Sequence, residues 1–208
     1  VNAGAKQACI GLAEQSGALL ATTLPAKGLF HDQPFCLGVA GGYASDKAKA
    51  IFAKSDLVIG IGARLASHSF EGGQLTPNAF VVHLDVAPQT YVQGRHAADL
   101  LIKADAKYGA NALSAVLDRK TGWRTPTMKQ VTSDALVLPD DRNTPDGLLH
   151  PMAVIKQLAD TVPATCHIVN TSGHCAYYTA QMNKHPQHLF TVIREFGAIG
   201  NGLSLIHI

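Results

Sequence analysis

Three stretches carry residues whose types and spacing suit ligand chemistry. In the first, the apolar run Leu57–Ile61 leads straight into Gly62-Ala63-Arg64. A run of this kind suits a central strand buried on both faces of a parallel sheet. A glycine at its carboxyl end lets the backbone approach a ligand, because no Cβ intervenes. A tight turn with no ligand fits the same residues. A second run, Phe80-Val-Val-His-Leu-Asp85, ends in an acid about twenty residues later, where dinucleotide-binding folds often bond a ribose hydroxyl. The second stretch is Thr171-Ser-Gly173, a turn at the carboxyl end of the strand Cys166–Asn170. The third is Phe196-Gly-Ala-Ile-Gly-Asn-Gly-Leu203, a Gly-x-x-Gly-x-Gly run. As a phosphate cradle it is ambiguous, since no clear strand precedes it. Cys9, Cys36, Cys166 and Cys175 include no pair with metal-ligand spacing, and reduced thiols of a cytoplasmic protein are expected. His185-Pro-Gln-His188 reads as a solvated loop rather than a metal site.

These residues need a scaffold, and the chain supplies one. With 208 residues, 47% hydrophobic and 15% charged, it is globular, with room for one large domain or two smaller ones. A net charge of +2 without a basic run argues against nucleic acid as a partner. No apolar run approaches the ~20 residues that span a bilayer. Ala5, Ala8, Cys9, Leu12 and Ala13 have helical spacing, and Gly17 is placed to stop that helix. Ala18–Thr23 reads as a buried strand, followed by a turn-rich loop through Pro34. Ser45 is a plausible N-cap for a helix through Lys54. After Asp85, residues 87–99 read as loop or short helix, Leu100–Lys103 as a strand, and Asp105 as the cap of a helix with Ala106, Ala110, Leu113 and Leu117 on one face. Strand and helix alternate, which predicts a parallel sheet. The opening helix has no strand before it and the chain begins without Met, so the first strand is expected to be missing.

From Lys120 to Gly147 the texture changes to turn formers such as Leu138-Pro-Asp-Asp141 and Thr144-Pro-Asp-Gly147, expected to be an interdomain linker. Pro151 then starts a helix with Val154, Ile155 and Leu158 as its buried face. The expected division is a Rossmann-like α/β domain over 1–124, a linker over 125–147 and a truncated second α/β domain over 148–203.

Several of these motifs together resemble the thiamine diphosphate-dependent enzymes, the acetolactate synthase-like group above all. Thr22-Thr-Leu-Pro-Ala-Lys-Gly28, Leu37-Gly38, Gly41, Ser55–Leu65 and His83-Leu-Asp85 are similar, in order and spacing, to that family's central domain. The helix from Pro151, the strand to Asn170, Gly173 and Gly197–Leu203 are similar to the start of its diphosphate-binding domain. The resemblance implies a fragment of an enzyme that uses thiamine diphosphate and Mg²⁺ to ligate or decarboxylate 2-oxo acids. The parent is expected to be a cytoplasmic homodimer or homotetramer, with no membrane or nucleic-acid partner. The activating glutamate and the metal-binding segment lie outside the chain on this reading, so no catalytic or metal-binding residue is assigned and the fragment alone is expected to be inactive.

The resemblance also implies roles for the residues present. The backbone of Gly173, His174 and Cys175 matches the turn that approaches the diphosphate. Gly197, with Ala198 beside it, matches the carbonyl that accepts from the cofactor's amino group, and Ile199 the bulky residue that props the cofactor in its bent shape. An ordinary core residue is the alternative for Ile199. Gly62, Ala63, Arg64 and Asp85 match positions that bind FAD or ADP in some relatives. Ala66-Ser67-His68 stands where many FAD-binding relatives carry an acid, which favours an empty, vestigial site. Two other functions fit parts of the pattern. A non-catalytic nucleotide-binding module would rest on Gly62, Arg64 and Asp85 alone, and an NAD(P)-dependent dehydrogenase lacks its Gly-x-Gly-x-x-Gly. Where the family continues with a helix start, the chain has Ser204-Leu-Ile-His-Ile208. Leu203–Ile208 matches a translated transposon-end sequencing adaptor, so 204–208 is expected to be non-native.

Overall fold

The structure, a computed structural model, describes residues 4–138, 146–170 and 173–191. Helix α1 (Lys6–Ser16) ends where Gly17 turns left-handed at φ 72°, as its sequence predicts. Strands β1 (Leu20–Thr22) and β2 (Cys36–Val39) pair in parallel. Helix α2 (Asp46–Phe52) starts at the expected cap, the Ser45 hydroxyl accepting from the Ala48 N–H. Then come β3 (Leu57–Ile61), the single-turn α3 (Ser67–Phe70) and β4 (Phe80–Asp85). A small hairpin, β5 (Tyr91–Val92) and β6 (Arg95–His96), precedes β7 (Leu100–Lys103). Helix α4 (Ala106–Val116) begins at Asp105, whose carboxylate accepts from the Lys107 and Tyr108 N–H groups.

Strands β3, β4 and β7 form a parallel sheet in that order, with Ile61 opposite Leu84 and Asp85 opposite Lys103. This is the expected Rossmann-like α/β arrangement. Helices α1 and α4 cover one face, where Ala8, Leu12 and Ala110 meet Ile59, Ile61 and Leu113. Gly109 lets α4 come close, since a Cβ there would lie 2.7 Å from Leu84 Cδ1.

Four expectations need correction. Leu57–Ile61 is not buried on both faces: Leu57 is 50% exposed, and Gly60 is the residue of β3 that is buried. Among the described strands β3 pairs with β4 alone, so the interior position falls to β4, whose Val82, His83 and Leu84 are buried. Residues 87–99 contain the β5–β6 hairpin, turned by Gln93 and Gly94 at positive φ. The stretch expected to be a linker holds helix α5 (Pro126–Ala135), capped by Thr125 and started by Pro126. It packs on α2 through buried Ala135, which joins Leu37, Ala48, Ile51 and Phe52 in one core cluster. In α6 (Pro151–Thr161) the buried face is Met152, Ile155 and Ala159, while Val154 and Leu158 are each 44% exposed.

The later part of the chain builds its own cluster. Strand β8 (Ile168–Val169) pairs in parallel with β9 (Phe190–Thr191), and α7 (His174–Thr179) lies between them in sequence. Leu138, Met152, Ile155, Ala159, Met182 and Phe190 form the core here.

Candidate functional site

The register of β3 against β4 brings two of the expected site residues together. Gly62 follows Ile61, adopts φ 57° and donates its N–H to the Leu84 carbonyl at 2.9 Å, while Asp85 ends the neighbouring strand. The Asp85 carboxylate is partly committed to its own turn, with Oδ1 accepting from the Ala87 N–H at 2.9 Å. Its Oδ2 lies 4.0 Å from Nε2 of buried His83. His83 Nδ1 lies 3.1 Å from the Gln89 amide nitrogen and 3.3 Å from the Gln89 carbonyl oxygen. His83 Nε2 is buried without a hydrogen-bond partner among the described residues. Ala63 is half-buried and Arg64 is exposed on the loop beyond Gly62.

Sequence reasoning missed the brace on that loop. Arg95, from the hairpin, donates through Nη2 to the Leu65 carbonyl at 3.0 Å and lies over the Phe70 ring at 5.5 Å. Gln93 Oε1 accepts from the Ser67 N–H at 2.8 Å. The hairpin thus fixes the segment after Gly62. The adjacent Gln-Gly turn was the signal available for it.

The second set of expected residues opens α7. Gly173 has φ 120° and ψ −177°, a backbone that side chains rarely adopt. Gly173, His174 and Cys175 are all exposed. A Cβ on Gly173 would meet nothing nearer than Cys175 Sγ at 4.0 Å, so backbone strain rather than crowding requires the glycine. Among the described residues no side chain caps the start of α7. Gly197, Ala198 and Ile199 lie outside the described residues.

A third cluster had no sequence signal beyond the position of Lys27 in a quoted motif. Lys27 is 2% exposed, its Nζ donates to the Met182 carbonyl and it lies 4.5 Å over the Phe190 ring. Burial holds its amine down at about 7, with Cys36 partly offsetting. Burial pushes the Cys36 thiol up to about 11, against the opposing pull of the Gly38 N–H and of Lys27. His185, expected in a solvated loop, is instead fully buried, because its backbone rests on Gly28. The His185 Nε2 donates to the Pro163 carbonyl at 3.2 Å and Nδ1 has no hydrogen-bond partner among the described residues. Burial lowers its pKa, and Lys27 and Lys184 lower it further. Among the described residues no group of three or more His, Cys, Asp or Glu is arranged to hold a metal ion. None of the described helices is long and apolar enough to cross a membrane.

The comparisons with known proteins agree with this architecture. The family model described as "Thiamine pyrophosphate enzyme, central domain" matches residues 1–116. The acetolactate synthase of Mycobacterium leprae (strain TN) is 30% identical over 174 residues, covering 78% of this chain and 27% of that protein. The acetolactate synthase of Mycobacterium avium is 31% identical over 180 residues, or 82% and 28% respectively. The acetolactate synthase isozyme 2 large subunit of Escherichia coli (strain K12) is 27% identical over 199 residues, 89% of this chain and 34% of that one. The matched stretch is thus about a quarter to a third of these relatives' length. With parallel strands delivering Gly62 and Asp85 to neighbouring ends, and a family match over more than half its residues, the chain belongs to the thiamine pyrophosphate enzymes through their central domain.

Proposed function

We propose that the chain is part of an acetolactate synthase-like enzyme that ligates or decarboxylates 2-oxo acids with thiamine diphosphate and Mg²⁺. The observation that carries this reading is the central-domain match over residues 1–116. The continuing similarity to acetolactate synthases over 78–82% of the chain supports it. On this reading 1–124 is the central domain, 125–147 the connection and 148–203 the start of the diphosphate-binding domain. The parent is a cytoplasmic homodimer or homotetramer.

The residues present fit part of the cofactor. The glycine-only backbone at Gly173 and the uncapped, exposed start of α7 let anionic oxygens approach main-chain N–H groups. Gly173, His174 and Cys175 would therefore hold the diphosphate. The proposed roles of Gly197 and Ala198 beside the amino group, and of Ile199 beneath the cofactor, concern orientation, which governs rate when reacting atoms must stay aligned. When bound, thiamine diphosphate supplies the electron sink for carbon–carbon bond chemistry. The ligands of Mg²⁺ and the activating acid come, on this proposal, from other parts of the parent.

Gly62, Arg64 and Asp85 form a vestigial dinucleotide site in this proposal. Asp85 spends one carboxylate oxygen on its own turn, and no acid stands at Ala66-Ser67-His68. Titrating the chain with ADP and with FAD is expected to give no binding heat, and a saturable isotherm would restore the nucleotide reading.

The decisive experiment compares this 208-residue chain with the longer protein that carries it. The longer protein is expected to consume pyruvate or another 2-oxo acid only when thiamine diphosphate and Mg²⁺ are both supplied. The chain by itself is expected to show no turnover. Turnover by the isolated chain, or none by the longer protein across a panel of 2-oxo acids, would sink the proposal.

A further inference from the structure

Lys27 is the one Lys, Arg, Asp or Glu side chain that is buried among the described residues. It reaches from the loop after β1 across to the segment 182–190, donating to the Met182 carbonyl under the Phe190 ring. The backbones meet at the same seam. A Cβ on Gly28 would lie 2.5 Å from the His185 carbonyl oxygen and 2.8 Å from the Gln187 nitrogen. Gly38 faces the Asn183 side chain, and Tyr43 stacks on Tyr177 with ring centroids 4.7 Å apart. Loop, strand and following turn of the first unit thus all touch the stretch that begins with α7.

We propose that Lys27 is a positioning residue: it clasps residues 174–190 onto the first unit, and the clasp is weakened when its amine takes up a proton. Among the described residues no carboxylate pairs with Lys27. An ammonium buried without a counter-ion is costly, and one carbonyl and one aromatic face offset only part of that cost. The other titratable groups at the seam do not supply the missing negative charge. From β2, Cys36 stays a thiol near neutral pH. Asp32, which acts on Cys36, is paired with Lys6 at 3.0 Å. From the facing segment, His185 presents an imidazole, and Lys184 is engaged with Asp160 at 3.4 Å.

The sign follows from proton uptake. In the closed seam the amine titrates near 7, against 10.5 for an ordinary lysine. Opening therefore takes up a proton between those values, so closure gains about tenfold per pH unit as pH rises through that window and is flat below it. His185 adds a further penalty only below its ordinary 6.5, and Cys36 works against closure only above its ordinary 9.0. The interval from pH 7 to 9 isolates Lys27.

The test is amide hydrogen exchange of the whole chain, read at Ala180, Met182 and Leu189. Each rate is referred to the unstructured rate at the same pH. Protection is expected to rise about fiftyfold from pH 7 to 9 in the wild type, and to stay constant in Lys27→Met, which keeps the length without the charge. Constant protection in the wild type, or the same rise in Lys27→Met, overturns the proposal. If Lys27→Met does not fold, the Lys27 Cε resonance of the wild type decides, because an ordinary lysine titration refutes the clasp. The readout is exchange, not turnover, so its failure leaves the cofactor role proposed for Gly173 standing.

Discussion

Cys36 and Lys27 show at the residue scale how burial alone reassigns chemistry. The Cys36 thiol, 5% exposed on β2, is pushed up to about 11, whereas Cys166 and Cys175 are exposed. Thiolate is the reactive form, so availability and acidity point the same way. Iodoacetamide at pH 8 is expected to label Cys166 and Cys175 long before Cys36, as followed by peptide mass spectrometry. Labelling of Cys36 at the same rate would show that β2 is open to solvent. The residues proposed to meet the cofactor differ in kind, since the role proposed for Gly173 is one of its backbone, held at φ 120°.

At the scale of elements, the close packing of α4 on β4 sets the position of Asp85. Gly109 sits in the middle of α4, where alanine would ordinarily favour the helix by about 1 kcal/mol. Here a Cβ would press on Leu84, which is 0% exposed, at 2.7 and 2.9 Å, and on Ala104 Cβ at 3.1 Å. Overpacking of a dense core costs about 1–3 kcal/mol, which outweighs the propensity gain. Gly109→Ala is therefore expected to lower the urea midpoint with an unchanged slope. A raised midpoint would mean that α4 can lift off the sheet freely.

Across the whole molecule, the two parts of the chain meet through a backbone contact that tolerates no side chain. Gly28 has φ 82° and abuts residues 185–187, so Gly28→Ala adds both strain and a clash with main-chain atoms. Such backbone conflicts cost on the order of 1–3 kcal/mol or more. The variant is expected to raise hydrogen exchange in 174–190 while leaving the amides of β4 protected. Equal loss in both places would show that the seam and the parallel sheet unfold as one unit.

Local chemistry was enough to read much of the fold. Gly17 stops α1, Ser45 and Asp105 start α2 and α4, and apolar runs mark β3, β4 and β7, because caps and strand patterns act between near neighbours in sequence. The pairing of Gly62 with Asp85 at adjacent strand ends followed from the same runs. What the sequence could not settle depends on partners far along the chain. Helix α5 has an N-cap and an opening proline, but its few buried positions gave no periodic stripe. His185 is polar and flanked by Pro186, yet it is fully buried because Gly28 approaches its backbone across more than a hundred and fifty residues. Leu57 reads as interior from composition, but exposure depends on how many neighbours a strand has, and β3 has one among those described. Lys27 makes the same point most sharply. Its identity is written in the sequence, but its charge is decided by Met182, Phe190 and Cys36, which only tertiary structure brings around it.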